Sequence, residues 1–267
     1  MHPKLTFLLS IPLALHAGEL RSGHASVEWI TSSKTTLGHE PLNTAIRIRV
    51  DEGWHIYWMQ PGDVGMRTSV ECQVPPGWKI DGPKFPTPRR FLTGKLASFG
   101  YENAVLLPIT LTPPSTCDAS AEFKAKVSWL ACNEDACVPG DAELTLRINP
   151  GPITNTTHTA AIMESIRMIP QSAAGRMTLE LADVGSHLQM KLTTANGKCP
   201  DFSTFEVFPA TPQIIQSSSI IRFARQGESW VATALKSEYA PPSIRELQLI
   251  LAEDDGTSSW ELTWKAK

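Results

Sequence analysis

The stretch EFKAKVSWLA, residues 122 to 131, limits the fold more than any other part of the chain. Phe123, Ala125, Val127, Trp129 and Ala131 occupy every second position, with Glu122, Lys124, Lys126 and Ser128 between them. Successive side chains of a strand point to opposite faces, so this order gives one apolar and one polar face. The expectation is a central buried strand that delivers Cys132 to the edge of a sandwich.

NTAIRIRV (43–50), TSVECQV (68–74), AVLLPITL (104–111) and AELTLRI (142–148) alternate in the same way or are rich in β-branched residues. Short strands punctuated by Pro and Gly imply antiparallel sheets, arranged as a sandwich. A chain of 267 residues, 42% of them hydrophobic, has the length for about two such domains. NPGPITNTT (149–157) has the composition of a linker, and TAAIMESIRM (159–168) reads as a helix. The strand pattern then resumes with MTLELAD, HLQMKL, SIIRFAR, RELQLILA and SWELTWKA. The chain is thus expected to be all-β, with a first sandwich over 18–150, a linker over 151–157 and a second, smaller β-rich domain over 158–267.

Ahead of these lies a short basic start, His2 and Lys4, followed by LTFLLSIPLALHA (5–17) and a polar exit. This is the pattern of a secretory signal peptide cut after Ala17. No cysteine follows it, which argues against a lipid anchor, and no other apolar run nears the ~20 residues of a membrane helix. The expected product is exported, soluble and without a membrane span. A net charge of −3, with no basic stripe, argues against nucleic acid as a partner.

Export makes the cysteines informative. There are five: Cys72, Cys117, Cys132, Cys137 and Cys199. An odd number leaves at least one thiol unpaired or paired with another molecule. Cys132 and Cys137 alone are close in sequence, and three chemistries suit them. As a structural staple they would close a loop so small that chain entropy assigns it only about 2 kcal/mol. A zinc site would need two further ligands, and no second cysteine pair or HxxxH stands nearby, although two sulfurs also suit copper(I). The third reading is a redox pair.

Four segments, in order, carry a family resemblance: GWHIYWMQPGDVGMRTSVECQVPPGW (53–78), FPTPRR (85–90), FGYENAVLLPITL (99–111) and VSWLACNEDACVPG (127–140). Over residues 27 to about 150 they resemble the N-terminal periplasmic domain of the thiol:disulfide interchange protein DsbD, and more closely its ScsB-like relatives. FSTFEVFPATPQII (202–215) is similar to the second extracytoplasmic module of the latter. The resemblance implies an immunoglobulin-like sandwich whose cysteine pair relays reducing equivalents from a membrane-embedded carrier to periplasmic thiol proteins. It implies Cys132 and Cys137 as that pair, Cys137 forming the mixed disulfide and Cys132 resolving it, with no cofactor or metal. Thioredoxin-like domains are the implied partners.

The resemblance also implies a cap loop that shields the cysteines, falling on RRFLTGKLASFGY (89–101). Phe91, Phe99 and Tyr101 are its candidate residues and Gly94 and Gly100 candidate hinges; the alternative places both phenylalanines in the core. The family continues into a transmembrane carrier and a thioredoxin-like domain, neither of which lies within these residues. Electrons are therefore expected from a separate DsbD- or ScsB-like membrane protein, unless the chain acts as a stand-alone exchange protein or has lost the relay. A further departure is Cys72, where the family has a large apolar residue. It reads as a buried core thiol, with pairing to Cys117 as the alternative.

Glu134 and Asp135 beside the sulfurs, and Val138-Pro139-Gly140 in place of a helix N-terminus, oppose formation of a thiolate. The expected nucleophile is sluggish and reacts chiefly inside a docked complex. In WHIYW (54–58), period two sets Trp54, Ile56 and Trp58 on the core face and His55 and Tyr57 on the other. His55 reads as an ordinary surface or hydrogen-bonded histidine, with proton transfer or metal binding as the alternative. Besides an oxidoreductase, two classes stay open: an interaction module with a permanent disulfide, and an exported copper-handling protein.

Overall fold

The computed structural model describes residues 18–37, 40–115, 118–195, 200–253 and 258–266; the apolar leader over 1–17, Cys117 and Cys199 lie outside these residues. In chain order the strands are β1 (Leu20–Ser22), β2 (Ala25–Thr31), β3 (Thr35–Thr36), β4 (Leu42–Val50), β5 (His55–Gly62), β6 (Ser69–Gln73), β7 (Lys79–Asp81), β8 (Arg89–Thr93), β9 (Leu96–Glu102), β10 (Ala104–Thr112), β11 (Ala121–Cys132) and β12 (Cys137–Pro150). Helix α1 (Thr159–Arg167) follows, then β13 (Gln171–Ser172), β14 (Met177–Val184), β15 (His187–Thr194), β16 (Phe205–Pro209), β17 (Ala224–Gln226), β18 (Ser229–Leu235), β19 (Glu246–Glu253) and β20 (Ser259–Lys265).

One sheet runs β1-β2-β4-β10-β7; the sheet facing it runs β3-β12-β11-β5-β9-β8, with β6 also paired to β11. The alternation read in residues 122–131 is the inner and outer face of β11: Phe123, Val127, Trp129 and Ala131 are fully buried, and the lysines between them are exposed. Burying an aromatic or branched side chain is worth about 1.5–3 kcal/mol each, which makes β11 the axis of the core. The Trp129 indole donates from Nε1 to the Gly23 carbonyl at 3.2 Å. It lies over Gly140, directly opposite on β12, where a Cβ would stand 2.4 Å from the ring.

The helix expected over 159–168 is α1, and it packs on the first sandwich through Ile162, buried against Ile30 and Ala45. The linker-like stretch ahead of it is pinned to the same sandwich. Thr154 N donates to Ser33 Oγ at 3.0 Å and Thr156 Oγ1 to the Thr31 carbonyl at 2.6 Å.

The remaining strands form a second sandwich, β13-β20-β19-β16 facing β14-β15-β18-β17, around Leu188, Phe202, Phe205, Leu249 and Leu251. SIIRFAR differs from its reading, since only Ala224–Gln226 pairs as a strand. Ile221 and Phe223 are buried, and Arg222 between them donates to the Phe205 carbonyl at 2.7 Å. Side chains, rather than a ladder, hold this segment, so its alternation records burial and not pairing. The two sandwiches share apolar contact: Phe208, Ala210, Ile250 and Ala252 of the second join the core cluster of the first.

Candidate redox site

β11 and β12 are consecutive antiparallel strands, and their register sets Cys132 directly opposite Cys137. The two sulfurs are bonded, with Cα atoms 4.1 Å apart. The turn between them is held by Asn133, whose Oδ1 accepts from the backbone N–H of Asp135 at 2.9 Å and of Ala136 at 2.7 Å. Asn133 also donates its own N–H to the Ala136 carbonyl at 3.0 Å. Asparagine is suited to this because its side chain substitutes for a backbone acceptor in a tight turn.

The two halves of the disulfide differ in exposure. Cys137 is exposed, whereas Cys132 is only 2% exposed. Cys132 lies on the outer face of β11, the same face as the exposed Lys124 and Lys126, and its burial has a local cause. Over residues 124–128 the neighbour of β11 is β6, but at Ala131 and Cys132 it is β5, which sets His55 opposite Cys132. Directly opposite residues share a face. On that face β9 adds Glu102 opposite His55, and β8 adds Phe91 opposite the buried Ser98. Phe91 stacks on His55, ring centroids 4.6 Å apart and planes 17° from parallel. Tyr57 also meets His55 edge-on, ring centroids 5.2 Å apart. Cys132 thus sits beside a packed aromatic group while Cys137 stands at the rim.

Burial pulls the His55 pKa below its ordinary 6.5, and the charge on Glu102 acts against this. The unfolded chain then takes up the proton at higher pH than the folded one. The resulting stability is present in full above pH 6.5 and is lost as pH falls through the lower folded value. A His55→Gln variant is expected to lose less of its thermal midpoint than the parent between about pH 7.5 and 5. Equal losses would mean that the ring titrates as an exposed one.

The three residues expected in the cap separate. Phe91 is half-buried on the outer face, at the site. Phe99 points inward, fully buried, with its edge against Trp58 and Phe208. Tyr101 also points inward, donates to the Pro86 carbonyl at 2.7 Å, and has its pKa driven well above 10 by burial. Gly94 lies at the β8–β9 turn, and Gly100 is inside the β9 ladder. Ile56 and Trp58 are core residues, and Trp54 is half-buried, stacked on His24 at 3.7 Å. Tyr57, on the face read as opposite the core, is only 3% exposed, because the chain near Gly65 closes over its ring.

Cys72 carries a free thiol, half-buried against the core, which burial pushes up to about 11. Such a thiol is almost wholly protonated at neutral pH and a poor nucleophile. Among the described residues no group of three or more His, Cys, Asp or Glu is gathered as a metal site would require, and no helix is long and apolar enough to cross a membrane. Arg90, which precedes Phe91, went unread in the sequence. Its side chain is only 10% exposed, and its partners lie in the second sandwich.

Residues 30–149 match the family model described as thiol:disulfide interchange protein DsbD, N-terminal. Among solved structures, the N-terminal periplasmic domain of ScsB from Proteus mirabilis is similar in fold. Its TM-score is 0.68 at 17% identity, over 93% of this chain and 96% of that one. The sporulation control protein Spo0M from Bacillus subtilis has a TM-score of 0.25 at 10% identity, over 91% of each chain. The YadV chaperone has one of 0.20 at 9% identity, over 89% of this chain and 99% of that one. These last two differ too much in shape to carry an argument. No curated protein matches the chain. The immunoglobulin-like sandwich followed by a second β-rich unit, expected from the sequence, is the fold of the chain. Residues 30–149, which hold the Cys132–Cys137 disulfide, are a domain of the DsbD N-terminal type.

Proposed function

We propose that this chain is a periplasmic thiol:disulfide exchange protein, directed there by the leader over residues 1–17. It relays reducing equivalents through Cys132 and Cys137 from a thioredoxin-like or membrane-bound donor to exported thiol proteins. The family match and the disulfide fit thiol:disulfide exchange in general. The observation that carries the finer reading is the unequal exposure of the two sulfurs.

Exchange proceeds by in-line attack of a thiolate on one sulfur while the other leaves. A donor thiolate reaches the exposed Cys137, forms a bond to its Sγ, and expels Cys132 as a thiolate, which takes up a proton. The donor's second thiolate attacks the donor sulfur of the mixed disulfide and releases Cys137. The pair has then gained two electrons and two protons, and the donor is left as a disulfide. In the second half-reaction the Cys137 thiolate attacks a client disulfide, and Cys132 resolves the adduct by attacking Cys137. Cys132 needs no access to bulk solvent in either half. Of the cap candidates, Phe91 is the shield, through its stack on His55, and Phe99 and Tyr101 anchor the hairpin behind it.

Trapping tests the roles. With a thioredoxin-like disulfide partner, reduced Cys132→Ser is expected to accumulate a covalent adduct, read by non-reducing electrophoresis and mass spectrometry, and Cys137→Ser to trap little. Equal trapping would reverse the assignment of roles. No adduct with either variant would point to a permanent structural disulfide, and stoichiometric loss of thiols on adding copper(I) to a metal site.

A further inference from the structure

We propose that the second sandwich positions β8 over the redox site, with Arg90 as the positioning residue that keeps Cys132 covered. β8 is the edge strand of its sheet, paired only to β9 among the described residues, and an edge strand peels away more readily than a central one. Its two faces do different things. Phe91 points outward and stacks on His55, the residue opposite Cys132. Arg90, one position earlier, points to the other side and is enclosed by the second sandwich.

The enclosure is specific. Arg90 Nε donates to Glu206 Oε1 at 2.7 Å, Nη2 donates to the Val207 carbonyl at 3.0 Å, and Nη1 donates to the Ser217 carbonyl. The guanidinium carbon Cζ lies 4.9 Å from the centroid of Phe99 and 5.7 Å from that of Phe208, and these two rings meet edge-on across the joint. A planar fork that satisfies two backbone carbonyls and a carboxylate while lying on two rings fixes direction as well as position, which a lysine ammonium cannot do. A second tie stands beside it. Asp63 Oδ2 accepts from Ala97 N in β9 at 2.9 Å, and its Oδ1 accepts from Ser217 N at 3.3 Å. The β8–β9 hairpin is therefore fastened to the second sandwich on its inner face and covers the Cys132 surroundings on its outer face. Loosening the first must free the second, because residues 90 and 91 share one peptide bond.

The inference concerns the burial of Cys132 and holds whether or not the pair exchanges electrons with a partner, so its test uses no partner. The full chain is reduced and treated with iodoacetamide, and labelling at Cys132, Cys137 and Cys72 is followed by peptide mass spectrometry. In the parent, Cys137 is expected to react and Cys132 to lag. Arg90→Met, and the milder Glu206→Gln, are expected to raise the rate at Cys132 about tenfold and a few-fold respectively, as local opening of an edge strand would. Cys137 and Cys72 should stay within a factor of about two of the parent. Phe91→Ala should match Arg90→Met. Cys72, on β6 of the same sandwich, reports global loosening. The proposal is overturned if Cys132 keeps its protection in Arg90→Met and Glu206→Gln, if Cys72 rises in step with Cys132, or if Phe91→Ala leaves Cys132 covered.

Discussion

Trp129→Ala is expected to lower the unfolding free energy by about 3–5 kcal/mol, the range for removing a fully enclosed tryptophan. The ring is fully buried, and its Nε1 ties the β1–β2 turn to β11 through the Gly23 carbonyl. Collapse into the vacated space is blocked on one side by backbone, since Gly140 lies directly beneath the ring and Gly23 runs so close to β12 that a Cβ there would stand 2.5 Å from the Pro139 carbonyl oxygen. A cavity that cannot close keeps its full cost. Urea unfolding followed by circular dichroism measures this. A loss below about 1 kcal/mol would mean that β11 is not the axis of the core.

Gly100→Ala is expected to act on stability and site together. A Cβ there would stand 2.0 Å from the Ile56 carbonyl oxygen, so β5 and β9 must separate by about 1 Å before even the tightest tolerable contact is reached. The obstacle is backbone, which cannot rotate away, and a loss of about 3 kcal/mol follows from overpacking of this kind. The same seam carries the His55–Glu102 and Tyr57–Gly100 pairings, so the stack beside Cys132 should come apart and its thiol become labelled in the reduced protein. Gly94→Ala is the control. Nothing stands within 4 Å of a Cβ at Gly94, and the residue has φ +63°, so only the backbone cost of about 1–2 kcal/mol is expected, without exposure of Cys132.

Much of this was legible from the chain itself. The strict alternation of residues 122–131 specifies β11 and its inner face because period two is a local property. The closeness of Cys132 and Cys137 was legible for the same reason, since a separation of five residues needs no knowledge of the fold, whereas their reading as a redox pair came from the family resemblance. What could not be read depends on partners distant in sequence. Phe91 and Phe99 both look like shielding rings, but the β8–β9 turn sends one outward to His55 and the other inward to Phe208. Tyr57 sits on the face that alternation sets away from the core, yet the chain near Gly65 closes over it. Arg90 resembles any surface arginine until Glu206, 116 positions later, is brought against it. The burial of Cys132 was hidden too, because it arises from an exchange of neighbours from β6 to β5 part way along one strand.

The disulfide joins two residues that the ladder already sets face to face, across a turn that Asn133 already holds. Forming or breaking it asks the backbone to go nowhere. On the exchange reading, the oxidised and reduced proteins would therefore offer a visitor much the same outline. Under the relay proposed above, a donor and a client would dock on one shape and meet its redox state only at the sulfur. Selectivity between them would then have to reside in the visitors' own cysteines, whose relative reduction potentials would set the direction of traffic.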